Sequence, residues 1–205
     1  MTKRYEEMLS SRSFLLVAHY ATYAMQDLLY EYFTKHKVSR ITKINLPLPE
    51  LPYLHHIEII QSEKGKAKNI KKIPSLYKPK LVAYFLQSVQ LLFWGLSLDK
   101  AYDVCIAQDS LLGTVAIILR FFKKCNIVIL YSHGIDYTRF KNPLLLGLYK
   151  IIDKFAATHS DYNMVLSKKM IPLRMEQGLS QERIFWVPAS IPIDSLKRKP
   201  NATGG

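Results

Sequence analysis

The sequence predicts an α/β protein: a Rossmann-like, doubly wound, mostly parallel sheet with helices on both faces. Two observations carry this. Short apolar runs, rich in β-branched and aromatic side chains and bounded by turn residues, read as strands buried on both faces. They alternate with longer segments of helical period, and alternating β and α elements imply parallel strands joined by crossover helices. At 205 residues, 49% hydrophobic and 12% aromatic, the chain can fill such a core, which excludes disorder as its main state.

The first 13 residues mix both charge signs, and the apolar run after them stops at His19, too short for a signal-peptide core. Phe14 to Tyr20 (FLLVAHY) is the first expected strand, followed by a helix over Tyr23 to His36 and strands at Val38 to Leu46 and His56 to Gln61. A helix is expected over Lys80 to Leu98, then the strand Tyr102 to Gln108 (YDVCIAQ). Ser110 is the expected N-cap of a helix running to Lys124, ahead of the strand Asn126 to Ser132. Pro143 suits the first turn of a helix ending at Thr158. Tyr162 to Ser167, a helix over Lys168 to Gln177, and Arg183 to Val187 complete a sheet of six or seven strands.

Lys and Arg number 29 against 16 Asp and Glu, a formal charge of +13, so a polyanionic partner has to be considered. Glu63 to Lys80 holds seven lysines against one glutamate and reads as a basic loop. It is either a solvated connection, a polybasic patch at a membrane surface beside the Trp94-bearing helix, or a nucleic-acid contact. The neighbouring aromatics fall in or beside an apolar helix rather than on a strand face where bases stack, so no nucleic acid is expected. Leu81 to Leu98 is uncharged, but Gln87, Ser88 and Gln90 favour a helix packed on a sheet or lying in an interface over a bilayer span. Cys105 and Cys125 sit in or beside apolar runs, as reduced structural thiols do. Ser195 to Gly205 turns polar, basic and Gly/Pro-bearing, as an interdomain linker does.

No G-x-G-x-x-G follows the first strand, and the chain has no P-loop, G-x-S-x-G, D-x-D or zinc spacing. Ligands of open α/β sheets bind at the carboxyl ends of strands, so the polar residues there are the candidates. They are His19 and Tyr20; Gln108, Asp109 and Ser110; Ser132, His133, Asp136 and Arg139; and Ser167. Each has a structural alternative: His133 before Gly134 can simply turn the chain, and Asp109 with Ser110 can cap a helix. His55 and His56, on opposite strand faces, cannot share a metal.

The runs YDVCIAQDSLLGTVAIILRFFKK, NIVILYSHGIDYTRFKNPLLLGLYKIIDKFAATHSDYNMVLSKKM and GLSQERIFWVPASIPID resemble the N-terminal half of a GT-B glycosyltransferase of the retaining family-4 type. The specific pieces are a strand ending His-Gly-x-Asp, a helix carrying IIDKFAATHSD that leads into VLS, and a last strand ending VPASIPID. The family's glycine-rich first loop is missing. The resemblance implies an acceptor-side domain over residues 1–194, a truncated linker over 195–205, and a C-terminal donor-binding domain that is absent here. It makes His133 the catalytic candidate facing the donor sugar and places Asp109, Ser110, Asp136 and Arg139 at the cleft edge; with His19, Tyr20 and Ser167, which the strand-end rule alone supplies, these are the substrate-binding candidates. Lys64, Lys66, Lys68, Lys71, Lys72 and Trp94 form the expected membrane surface.

The expectation is therefore a glycosyltransferase half, inactive by itself, working on a lipid-linked or saccharide acceptor of the cell-envelope polysaccharide kind. It is placed on the cytoplasmic face of the membrane, peripherally bound to an anionic surface. The nucleotide-sugar is a substrate held mainly by the missing domain or subunit, and no cofactor is expected within the chain. A non-catalytic α/β partner module is the alternative.

Overall fold

The computed structural model describes residues 3–20, 25–48, 56–75, 79–132, 134 and 142–188. His133, Asp136, Arg139, His55 and the segment 195–205 lie outside the described residues. The elements run α1 (Lys3–Ser10), β1 (Ser13–His19), α2 (Met25–Lys35), β2 (Arg40–Leu46), β3 (His56–Glu63), β4 (Lys66–Pro74), α3 (Lys80–Leu96) and β5 (Tyr102–Gln108). They continue with α4 (Ser110–Phe121), β6 (Cys125–Ser132), α5 (Pro143–His159), β7 (Tyr162–Val165), α6 (Met170–Glu176), a 3-10 turn at Gln181–Arg183, and β8 (Ile184–Trp186).

All eight strands form one sheet in the order β4-β3-β2-β1-β5-β6-β7-β8. The β2–β3 and β3–β4 pairs are antiparallel and the remaining pairs parallel. The doubly wound, mostly parallel sheet is the one expected. All seven residues of β1 are buried, as the apolar run FLLVAH requires of a central parallel strand. One face carries α3, α4 and α5 over a core that includes Leu15, Val17, Ile44, Leu112, Leu119 and Leu130. Phe14, Leu16, Ile41, Ile106 and Tyr131 point to the other face, where Leu9 of α1 and Phe33 of α2 meet them. Gly113 lets α4 approach closely, because a Cβ there would stand 2.7 Å from Leu130 Cδ1 and 3.4 Å from the Ala156 Cβ. Cys105 and Cys125 are buried free thiols.

Two elements differ from the sequence reading. The mixed-charge segment at the N-terminus contains the short helix α1, whose Leu9 is its buried anchor. The basic segment is not a loop: β3 and β4 form a hairpin through Lys64 and Gly65, whose φ of 49° and 79° give the two-residue turn that suits strand twist. A Lys-Gly pair is a weaker hairpin signal than Asn-Gly, and lysines mask strand propensity. Every residue of β4 except Ile73 is exposed, so β4 is an edge strand on which lysines discourage pairing with another sheet.

Candidate functional site

Strand order reverses at β1, whose neighbours are β2 on one side and β5 on the other. A doubly wound sheet opens its ligand crevice at such a switch point, beyond the carboxyl ends of the two strands. His19 is the last residue of β1 and Asp109 the first after β5. The structure brings them together: His19 Nε2 lies 3.1 Å from Asp109 Oδ2.

Asp109 does two jobs there. Its Oδ1 accepts the backbone N–H groups of Leu111 and Leu112 at 2.9 and 3.1 Å, so Asp109 and not Ser110 is the N-cap of α4. Its backbone has φ 65° and ψ 169°, a region used almost only by glycine and costly for an L side chain. His19 is buried, with Tyr84 edge-on to its ring at 5.3 Å between centroids. Because a carboxylate only accepts, Nε2 carries the hydrogen of this contact, and Nδ1 is buried with no hydrogen-bond partner among the described residues. About 35% of the Asp109 side chain remains open, and the two oxygens together offer about four lone-pair directions, of which these contacts use three. Among the described residues nothing takes the fourth.

Ser110 turns the other way, into a buried polar network that sequence reasoning missed. Its hydroxyl donates to Asp153 Oδ1 of α5. Arg174 of α6, fully buried, donates from Nη1 to Asp153 Oδ2 at 2.9 Å and from Nη2 to Ser132 Oγ at 2.7 Å. Gln177 donates to the same Asp153 oxygen at 2.7 Å. The network ties the start of α4, the end of β6, α5 and α6 into one block beneath the sheet edge. Burial pushes the Tyr149 phenol up, and Asp153 and Asp109 add to it. Asp153 shares an inward helical face with Ala156 and Ala157, which was a readable signal of a buried carboxylate.

The other candidates separate. Tyr20 is exposed, and its N–H donates to the Leu46 carbonyl. Ser167 is exposed after β7, where its hydroxyl accepts from the Lys169 N–H at 3.3 Å. Lys64 sits in the hairpin turn, and Lys66, Lys68, Lys71 and Lys72 lie along β4, with Lys68 paired to Glu63 at 2.9 Å. Trp94 is half-buried against the core rather than presented to solvent. Among the described residues no group of three His, Cys, Asp or Glu side chains could hold a metal, and no helix is long and apolar enough to cross a membrane.

No family model and no curated protein matches the sequence. Solved structures do. The catalytic domain of starch synthase IV from Arabidopsis thaliana, bound to ADP and acarbose, is similar over 91% of this chain with a TM-score of 0.58 at 10% identity. The apo form of the lipopolysaccharide outer core galactosyltransferase WaaB is similar over 88% of it with a TM-score of 0.50 at 11% identity. The fold is that of a GT-B glycosyltransferase. This chain spans about half of each structure, 53% and 47% of their lengths. At such identities the GT-B likeness establishes the fold and no residue's role.

Proposed function

We propose that this chain is the acceptor-side domain of a glycosyltransferase, and that its acceptor hydroxyl is received at the β1/β5 switch point by Asp109, with His19 behind it. The observation that carries the reading is the strained Asp109 backbone at the crevice, since strain of about 1–3 kcal/mol persists only where surrounding structure enforces it, and functional sites are where it collects. A partly exposed carboxylate suits a sugar hydroxyl, which donates. It suits a diphosphate badly, because the α4 N-terminus that would hold an anion is already neutralised by Asp109. The nucleotide-sugar is therefore held mainly by a second domain or subunit, and the chain by itself turns over little. The saccharide is either free or lipid-linked, and no cofactor is needed within this chain.

Amide chemical-shift mapping tests this. Titrating the labelled chain with methyl glycosides of glucose, galactose, mannose and N-acetylglucosamine should move the amides of His19, Tyr20 and Asp109 to Leu112, while ADP and UDP leave them in place. Nucleotides moving these amides in place of the glycosides would contradict the assignment.

A further inference from the structure

α3 carries apolar side chains on both of its faces. Its inward face holds Ala83 and Leu91 but also Gln87, fully buried, and Ser88, whose hydroxyl donates to the Tyr84 carbonyl at 2.8 Å. Its outward face presents Leu81, Val82, Phe85 and Phe93, the two phenylalanines 65% and 68% exposed. Ordinary packing of a helix on a sheet places the polar side chains outside. No charged residue follows Lys80 in the helix.

Beside this helix an apolar slot of about 240 Å³ opens between α3 and the sheet, lined by Ile44, Ile57, Ile59 and Ile73 of the strands and by Phe93 and Trp94 of the helix. Lys71 pairs across the ladder with Ile59, so it stands on the same sheet face as the slot, next but one to Ile73. Lys66, Lys71 and Lys72 are exposed and have no carboxylate partner among the described residues. A continuous apolar stripe, a slot lined by aliphatic and aromatic side chains, and the ammonium groups of Lys71 and of Lys66, which pairs across the ladder with Glu63 on the same face, are complementary to one kind of occupant, an amphiphile with anionic headgroups.

We propose that the α3–β4 face docks on an anionic lipid bilayer, with one lipid chain entering the slot beside Trp94. Phe85 and Phe93 enter the headgroup–acyl boundary, and the β4 lysines stay at the level of the phosphates, where each contributes electrostatic attraction that salt screens. The proposal stands apart from the transferase reading, because no saccharide or nucleotide enters its test.

The test is co-sedimentation of the 205-residue chain with vesicles of phosphatidylcholine alone or mixed with phosphatidylglycerol, at low and high salt. The chain should pellet with the anionic vesicles at low salt and release at high salt. The pair Lys66→Gln/Lys71→Gln should lower partitioning about 25-fold, about fivefold per lysine. Phe85→Ser/Phe93→Ser should lower it at least about tenfold. Both pairs change exposed side chains, so the melting temperature should hold. Leu148→Ser, on the exposed apolar face of α5, is the control and should have no effect. In a Trp186→Phe background Trp94 is the one tryptophan, and its fluorescence should be quenched by lipids brominated along the acyl chain. Equal pelleting with neutral vesicles, no pelleting at low salt, or an equal loss with Leu148→Ser would overturn the docking face. An unquenched Trp94 would overturn the slot. A dimer in sedimentation that dissociates on Phe85→Ser would assign the face to a second copy and overturn the bilayer.

Discussion

At the scale of one residue, the proposed site rests on the backbone of Asp109. A glycine would occupy φ 65° and ψ 169° without strain, yet an aspartate stands there, capping α4 and meeting His19. Both residues were readable from the sequence as polar side chains at strand ends, because the rule for open sheets places ligands there. Their direct contact was not, since it depends on β1 and β5 being neighbours, which no local pattern encodes. Asp153 and Arg174 were missed because each sits among other charges of its helix, Lys150 and Lys154 in α5 and Glu176 in α6, and their pairing joins two helices distant in sequence. Removing one partner of a buried ion pair strands the other, so Arg174→Met should cost about 3–5 kcal/mol, which for a chain of this size lowers the melting temperature by about 6–20 °C. Thermal unfolding followed by circular dichroism measures it, and a shift of a degree or two would show that Asp153 is satisfied without Arg174.

Among the elements, α4 is the one on which the site depends, because its first turn carries Asp109 and its body wedges between β6 and α5. Gly113 sets that depth. Glycine to alanine inside a helix normally stabilises by about 0.5–1 kcal/mol. Here the added methyl meets the buried Leu130, and Gly113→Ala should instead destabilise by about 1–3 kcal/mol through overpacking. Chemical denaturation would decide the sign. The parallel strands and α3 to α5 were legible because apolar runs and helical period coincide with burial. The hairpin strand β4 was not, since an edge strand buries almost nothing and its lysines discourage another sheet from pairing there rather than fill a core. α3 was placed correctly as a helix, but only packing shows that its polar residues face inward.

Taken as a whole molecule, the described residues form a doubly wound sheet whose strand order reverses at β1, and that topology selects the pair of residues on which the functional reading rests. The GT-B likeness was visible in the sequence as a set of strand-end motifs, and the structures of similar fold agree with it at the level of architecture. The central claim is that the Asp109 carboxylate receives a saccharide hydroxyl, and it separates cleanly from stability. Asn caps helices about as well as Asp and has the same shape, so Asp109→Asn should leave the stability within about 1 kcal/mol of the parent. The direct measurement is the affinity of the parent and of Asp109→Asn for whichever methyl glycoside moves the site amides, taken with the melting temperature of the same preparations. The account predicts an affinity loss of about tenfold or more at unchanged melting temperature, since a hydrogen bond to a charged acceptor is exchanged for one to a neutral amide. Unchanged affinity, or a loss that tracks a falling melting temperature, would contradict it.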